Sequence, residues 1–93
     1  MALPPAAPPL PSSPAALQGV RVIEMGQLIA GPFCGKTLGE FGADVIKIEA
    51  PETGDPLRNW RLIKEGTSVW WQVQSRNKRS VALKSCTNST RAW

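Results

Sequence analysis

At 93 residues, with 11 basic and seven acidic side chains and a net charge of +4, the chain has room for one small domain. It contains no histidine and two cysteines, Cys34 and Cys86, so it offers no disulfide framework and no metal-ligand spacing, and its cysteine usage fits a reducing cytoplasm. No apolar run approaches the ~20 residues that cross a bilayer, so neither a metal nor a membrane is expected.

Residues 1–16, MALPPAAPPLPSSPAA, hold six of the nine prolines and no charge, which predicts a disordered Pro/Ala-rich arm. The first basic side chain is Arg21. The arm therefore lacks the basic start of a secretory leader and the arginines of a mitochondrial one, and folding is expected to begin near Leu17.

Residues 20–49 carry the clearest pattern. Val20, Val22, Ile23 and Met25 form a short apolar run bounded by Gly19 and Gly26, as a strand buried on both faces reads. Pro32 suits a first helical turn, where its missing N–H would have no partner in any case. Phe33, Cys34, Leu38 and Phe41 recur at helical spacing on roughly one face, and Gly42 follows as a left-handed stop. Val45, Ile46 and Ile48 make a second apolar run, which completes a β-α-β unit with parallel strands. In such sheets ligands bind beyond the carboxyl ends of the strands, here residues 26–33 and 50–55.

The run Ala50-Pro51-Glu52-Thr53-Gly54-Asp55-Pro56 is turn chemistry. Gly54-Asp55 either holds backbone close to a ligand or forms an ordinary Asx-type turn. Beyond it, Trp60, Trp70 and Trp71 are interleaved with Arg58, Arg61 and Lys64. Residues 1–55 hold three basic and six acidic side chains (net −3), and residues 56–93 hold eight and one (net +7). Polyanion contact on the second half is one reading, and a small basic module stacking single-stranded nucleic acid is a version of it. Tryptophans packed on the sheet under a solvated basic surface are the other. Asn77-Lys78-Arg79-Ser80 leads into Val81-Ala82-Leu83, a third strand. Three short strands and one helix leave a parallel sheet short of cover, so a marginal fold is expected.

Residues 30–37, AGPFCGKT, satisfy a permissive form of the phosphate-loop pattern G-x-x-x-x-G-K-[ST], with Ala30 in place of the first glycine. In a working loop, backbone N–H groups and Lys36 hold phosphates and Thr37 ligates magnesium. Three features oppose this P-loop nucleotide-binding reading. Pro32 removes a donor, the first strand ends too early at Gly26, and no later apolar strand ends in a magnesium-holding aspartate.

The same residues belong to a larger pattern. LQGVRVIE at residues 17–24, AGPF at 30–33, LGEFGADVIKIE at 38–49, Gly54-Asp55-Pro56 through Arg58, and RNKRSVAL at 76–83 occur in that order. Residues 17–83 thereby resemble the N-terminus of the class III CoA-transferase family, which includes formyl-CoA transferase, carnitine CoA-transferase and alpha-methylacyl-CoA racemase. The resemblance implies an α/β fold, in which this chain supplies the first β-α-β unit of a Rossmann-like parallel sheet, incomplete by itself. It also implies interlocked homodimers in the family, which this chain is not expected to form intact, and no nucleic acid. The activity implied is movement of CoA between carboxylic acids through acyl-aspartyl and aspartyl-CoA intermediates, with an acyl-CoA racemase as the alternative within the family. CoA-binding positions of the family fall on Ile29 and Ala30 after the first strand, on Ala50 after the second, and on Leu83 and Lys84 at the end of the third. Ile29 stands where some members have glutamine, and Ala50 where many have arginine.

No catalytic residue can be carried over. The context of Asp44 is that of a strand start, that of Asp55 a turn end, and the family nucleophile is expected beyond residue 93. The resemblance divides the chain into an arm (1–16), an N-terminal part of the family's large domain (17–84) and a polar tail outside the family pattern (85–93). On this reading the chain is a truncated form, inactive by itself.

Overall fold

The computed structural model describes residues 13–84. Most of the arm and the 85–93 tail, both named above, lie outside the described residues. Strand β1 (Arg21–Glu24), helix α1 (Ala30–Glu40) and strand β2 (Asp44–Glu49) form the expected β-α-β unit. The chain then passes through a single 3-10 turn (Pro56–Asn59), the short strands β3 (Ile63–Lys64) and β4 (Thr67–Ser68) and helix α2 (Val69–Gln74), and ends in β5 (Lys78–Ala82). The main sheet has the order β1-β2-β5, with β2 central and both pairings parallel.

Local chemistry explains the breaks. Gly42 takes φ +102 after α1, the left-handed stop expected of it. Between β3 and β4, Glu65 and Gly66 both have positive φ (52 and 78), the mirror-image turn that suits a two-residue hairpin. Ser68 caps α2 by accepting the Trp71 N–H (3.1 Å) and donates its own hydroxyl to the Trp60 carbonyl (2.8 Å).

Register fixes what each sheet face presents. Glu24 lies beside Lys47, Val45 beside Lys78, Lys47 beside Ser80 and Glu49 beside Ala82, so these residues share one face. Helix α1 packs on this face. The other face carries Ile23, Ile46, Ile48 and Val81.

Two expectations need correction. β1 is not buried on both faces: Ile23 is 55% exposed and Met25 61%. Phe33 and Phe41 do not form the helix's packing surface either, since both are exposed while Pro32, Gly35 and Gly39 are buried. The reason is distance. A Cβ on Gly35 would lie 2.5 Å from Glu24 Oε1, so the helix backbone itself approaches the charged face of the sheet, with no side chain between them. The third strand also begins earlier than its apolar run, at Lys78, because Lys78 and Ser80 point toward the charged face and need no apolar character there.

Candidate functional site

Beyond the carboxyl ends of the three main strands lies a cleft of about 570 Å³. It is lined by Met25, Gly26 and Gln27 after β1, Glu49 and Ala50 at the end of β2, and Leu83 and Lys84 after β5. Met25 and Leu83 are largely exposed, which gives the cleft an apolar wall continuous with the open sheet face. Lys84, which lines the cleft, is exposed.

Of the five positions singled out in the sequence, Ala50, Leu83 and Lys84 converge on this cleft. Ile29 and Ala30 do not line it: Ile29 is the N-cap of α1 and Ala30 its first residue, both exposed. The residues of the β1–α1 loop that line the cleft, Gly26 and Gln27, lie nearer the strand. They carry no charged or nucleophilic signature, and the sequence placed them within the broad ligand-side range 26–33 without naming them among the five positions.

Beneath the cleft is a cluster of buried charge. Lys47, 1% exposed, faces Glu24 Oε2 at 3.0 Å and Asp55 Oδ2 at 2.7 Å, and donates to the Gly26 carbonyl at 2.9 Å. Lys78 donates to Glu24 Oε1 (2.7 Å) and to the Pro32 carbonyl (2.8 Å), which ties the first turn of α1 to the sheet. Burial pulls the Lys78 ammonium below its ordinary value, and the hydrogen bond to Glu24 restores part of the difference. Two carboxylates and two ammonium groups leave this cluster neutral.

A second cluster holds the end of β2. Glu49 accepts a forked pair of bonds from Arg58 (2.8 and 2.7 Å), one from the Asp55 N–H (2.8 Å) and one from the Ser80 hydroxyl. The Arg58 bond is the main reason the Glu49 carboxyl is held down to about 2, and the Ser80 and Asp55 bonds add to it. Glu49 is thus a fixed anion, its oxygens engaged by the fold.

Neither aspartate is available as a nucleophile. Asp55 is 1% exposed, paired with Lys47, and accepts the Leu57 N–H as the Asx-type cap of the 3-10 turn. Asp44 sits at the opposite, amino end of the sheet between Arg79 and Arg21, and Arg79 above all holds its carboxyl below the ordinary range.

Two other sequence readings meet their geometry here. Residues 30–37, the apparent phosphate loop, lie within helix α1. Thr37 donates its hydroxyl to the Phe33 carbonyl (2.9 Å) and Lys36 leans toward Glu40 (3.6 Å), so neither is arranged around a phosphate cradle. The tryptophan and arginine cluster is internally stacked. Arg58 lies 4.0 Å over Trp71, and Arg61 lies 4.9 Å from both Trp60 and Trp70, whose centroids are 5.2 Å apart. Each of these indoles thus already has one of the chain's own guanidiniums as a stacking partner. Among the described residues no group of three or more metal-type ligands occurs, and no helix is long and apolar enough to cross a membrane.

Comparison with known proteins agrees with this geometry. The profile of CoA-transferase family III matches residues 17–92. A succinyl-CoA–D-citramalate CoA-transferase of Chloroflexus aurantiacus is 51% identical over 71 residues, covering 75% of this chain and 18% of that protein. The human succinyl-CoA:glutarate CoA-transferase is 41% identical over 68 residues, covering 72% and 16%. A crystal structure of a CAIB/BAIF family protein from Brucella suis superposes with a TM-score of 0.67 at 38% identity, covering 77% of this chain and 20% of that one. The chain spans about a fifth of the length of the relatives it matches.

Proposed function

The chain belongs to CoA-transferase family III, and from that premise we propose that its cleft takes the nucleotide end of an acyl-CoA, for transfer of CoA between carboxylic acids. The observation that carries this reading is the convergence of Ala50, Leu83 and Lys84 on one cleft at the carboxyl end of a parallel sheet. Met25 and Leu83 offer an apolar surface to a planar base. Lys84 offers a positive charge to phosphate, as a point donor. Ile29 and Ala30, exposed at the start of α1 and outside the cleft lining, are kept in this proposal as further contacts of the same ligand. Transfer is preferred to racemisation because the relatives quoted above bear CoA-transferase names.

The aspartyl-CoA step is assigned to an aspartate outside these 93 residues. The sequence has two aspartates, Asp44 and Asp55, and both are engaged in ion pairs that hold the fold. In this proposal residues 17–84 form the N-terminal part of a larger Rossmann-like domain, acting in a homodimer and in the cytoplasm. The free thiol of Cys34 suits that compartment.

Calorimetric titration of the chain with CoA and with Mg-ATP tests the reading. CoA is expected to bind and ATP to bind more weakly. Lys84→Ala is expected to weaken CoA binding by several-fold and Lys36→Ala to leave it unchanged, with no turnover of succinyl-CoA by this chain in either form. Magnesium-dependent ATP binding abolished by Lys36→Ala would overturn it.

A further inference from the structure

Lys47 and its partners are not needed to close a core. An apolar side chain of similar length fills such a site at no loss of stability in many proteins, whereas an ammonium must be desolvated and fully paired there. What the ammonium adds is direction. Its three partners come from three segments: Glu24 at the end of β1, Gly26 in the loop after it, and Asp55 in the loop after β2. Asp55 then reaches back across the gap. Its Oδ1 accepts the N–H of Leu28 (3.1 Å), in the β1–α1 loop, and the N–H of Leu57 (2.9 Å), in the 3-10 turn.

Leu28 has φ +65, a left-handed conformation that a leucine adopts only when its surroundings enforce it. The bond to Asp55 supplies that enforcement. Gly26 and Gly31 approach so closely that a Cβ on Gly26 would lie 2.7 Å from the Gly31 Cα, so the loop has no slack on its helix side. Gly26 and Gln27 on one side, and Ala50 on the other, are the rims of the cleft. Glu24 Oε2 and Asp55 Oδ2 both face Lys47, which is the ion-pair partner of Asp55 among the described residues and shares Glu24 with Lys78.

We propose that Lys47 is a positioning residue, whose ammonium draws Glu24, the Gly26 carbonyl and Asp55 together and thereby sets the spacing of the two loops that rim the CoA cleft. The inference rests on the reading of the cleft as a CoA site, and it deepens that reading without adding a contact to the ligand.

The test is amide hydrogen exchange by NMR, combined with CoA titration, on the 93-residue chain. In the wild type the amides of Leu28 and Leu57 should be protected to within about tenfold of the β2 amides, as native bonds of the cooperative core are. The variant Lys47→Met/Asp55→Asn removes one charge of each sign and keeps an oxygen at position 55 for both amides. It should retain the β2 protection pattern, speed Leu28 exchange by tenfold or more, and weaken CoA binding by tenfold or more. Val45→Ala serves as a control that loosens the core without touching either loop, and its CoA affinity should equal that of the wild type. A purely structural Lys47 would lower stability in the double variant and leave the affinity of the folded fraction unchanged, and that result would overturn the proposal. An unprotected Leu28 amide in the wild type would overturn it as well, and that measurement decides if the double variant does not fold. If the wild type takes no CoA, the reading of the cleft fails, while the exchange of Leu28 still tests the clamp.

Discussion

The two faces of the three-stranded sheet invert the usual arrangement. The face under α1 carries Glu24, Lys47, Glu49 and Lys78, all with buried side chains. The face turned away from the helix carries Ile23, Ile46, Ile48 and Val81, of which Ile23 and Val81 are exposed among the described residues. Paired charge lies inside, beside Val45, and exposed aliphatic surface lies outside, beside Arg79. The covered face tolerates this because each of its charges has partners within the chain and because a glycine-lined helix brings backbone carbonyls, such as that of Pro32, within reach of Lys78. The open face has the composition of a parallel sheet that is covered on both sides. Helix cover and apolar character, which sequence patterning treats as one property, are separated here.

The sharpest way to break the comparison is to remove one charge from the covered face. Lys47→Met leaves the Asp55 carboxylate buried without its ion-pair partner and Glu24 with Lys78 alone, and uncoupling one partner of a buried pair costs about 3–5 kcal/mol. Urea denaturation of the wild type and the variant measures this. Adding Asp55→Asn to Lys47→Met should restore part of the loss, because the remaining Glu24–Lys78 pair is balanced. A single substitution within ~0.5 kcal/mol of the wild type, the range of ordinary surface changes, would mean that the covered face is hydrated and its charges weakly coupled.

How much of this was legible in the sequence follows from the same separation. The β-α-β unit was, because Val45, Ile46 and Ile48 form a second apolar run and Gly42 marks the helix stop before it. The direction of packing was not. Phe33 and Phe41 have helical spacing, but Gly35 and Gly39, which make no apolar signal, face the sheet. Lys47 carries no signal of its own within the second apolar run, and its partners are 23 residues upstream and eight downstream. Asp55 was legible as an Asx-type turn; its second role, holding the Leu28 N–H, depends on tertiary contact that no local pattern encodes. At the site, Ala50, Leu83 and Lys84 came from the ordered blocks of a family resemblance, while Gly26 and Gln27 lay within the broad ligand-side range 26–33 and were singled out by the cleft.

Acid sharpens the comparison without a mutation. The Glu49 carboxyl, ordinarily near 4.5, is held at about 2 in the folded chain, chiefly by Arg58. Its folded value lies below its unfolded one, so the unfolded chain binds the proton more readily. The stabilisation from Glu49 is therefore fully present above about pH 4.5 and is lost as pH falls toward 2. Asp44, lowered mainly by Arg79, contributes in the same direction from the amino end of the sheet. Thermal unfolding followed from pH 6 to pH 2 should show a falling midpoint in this window. Arg58→Met should flatten the slope, since it removes the largest cause of the Glu49 shift; an unchanged slope would place the acid sensitivity elsewhere.

The smallest expected effect bears on the open face. A buried leucine or isoleucine cut to alanine costs about 2–5 kcal/mol, because its apolar area and its packing are both lost. Leu57, a fully buried residue of the 3-10 turn, should show that cost in Leu57→Ala. Ile23 has the same aliphatic character and sits in the middle of a strand, so sequence patterning assigns it the same value. In the described fold it is 55% exposed and has less contact to lose, so Ile23→Ala should stay within ~0.5 kcal/mol of the wild type, the range of surface substitutions. Urea denaturation of the two variants side by side, at a protein concentration low enough to hold the chain monomeric, reads the difference directly. If Ile23→Ala costs as much as Leu57→Ala, the open face is covered in solution, and the contrast between the two faces belongs to the isolated fold and not to the protein at work.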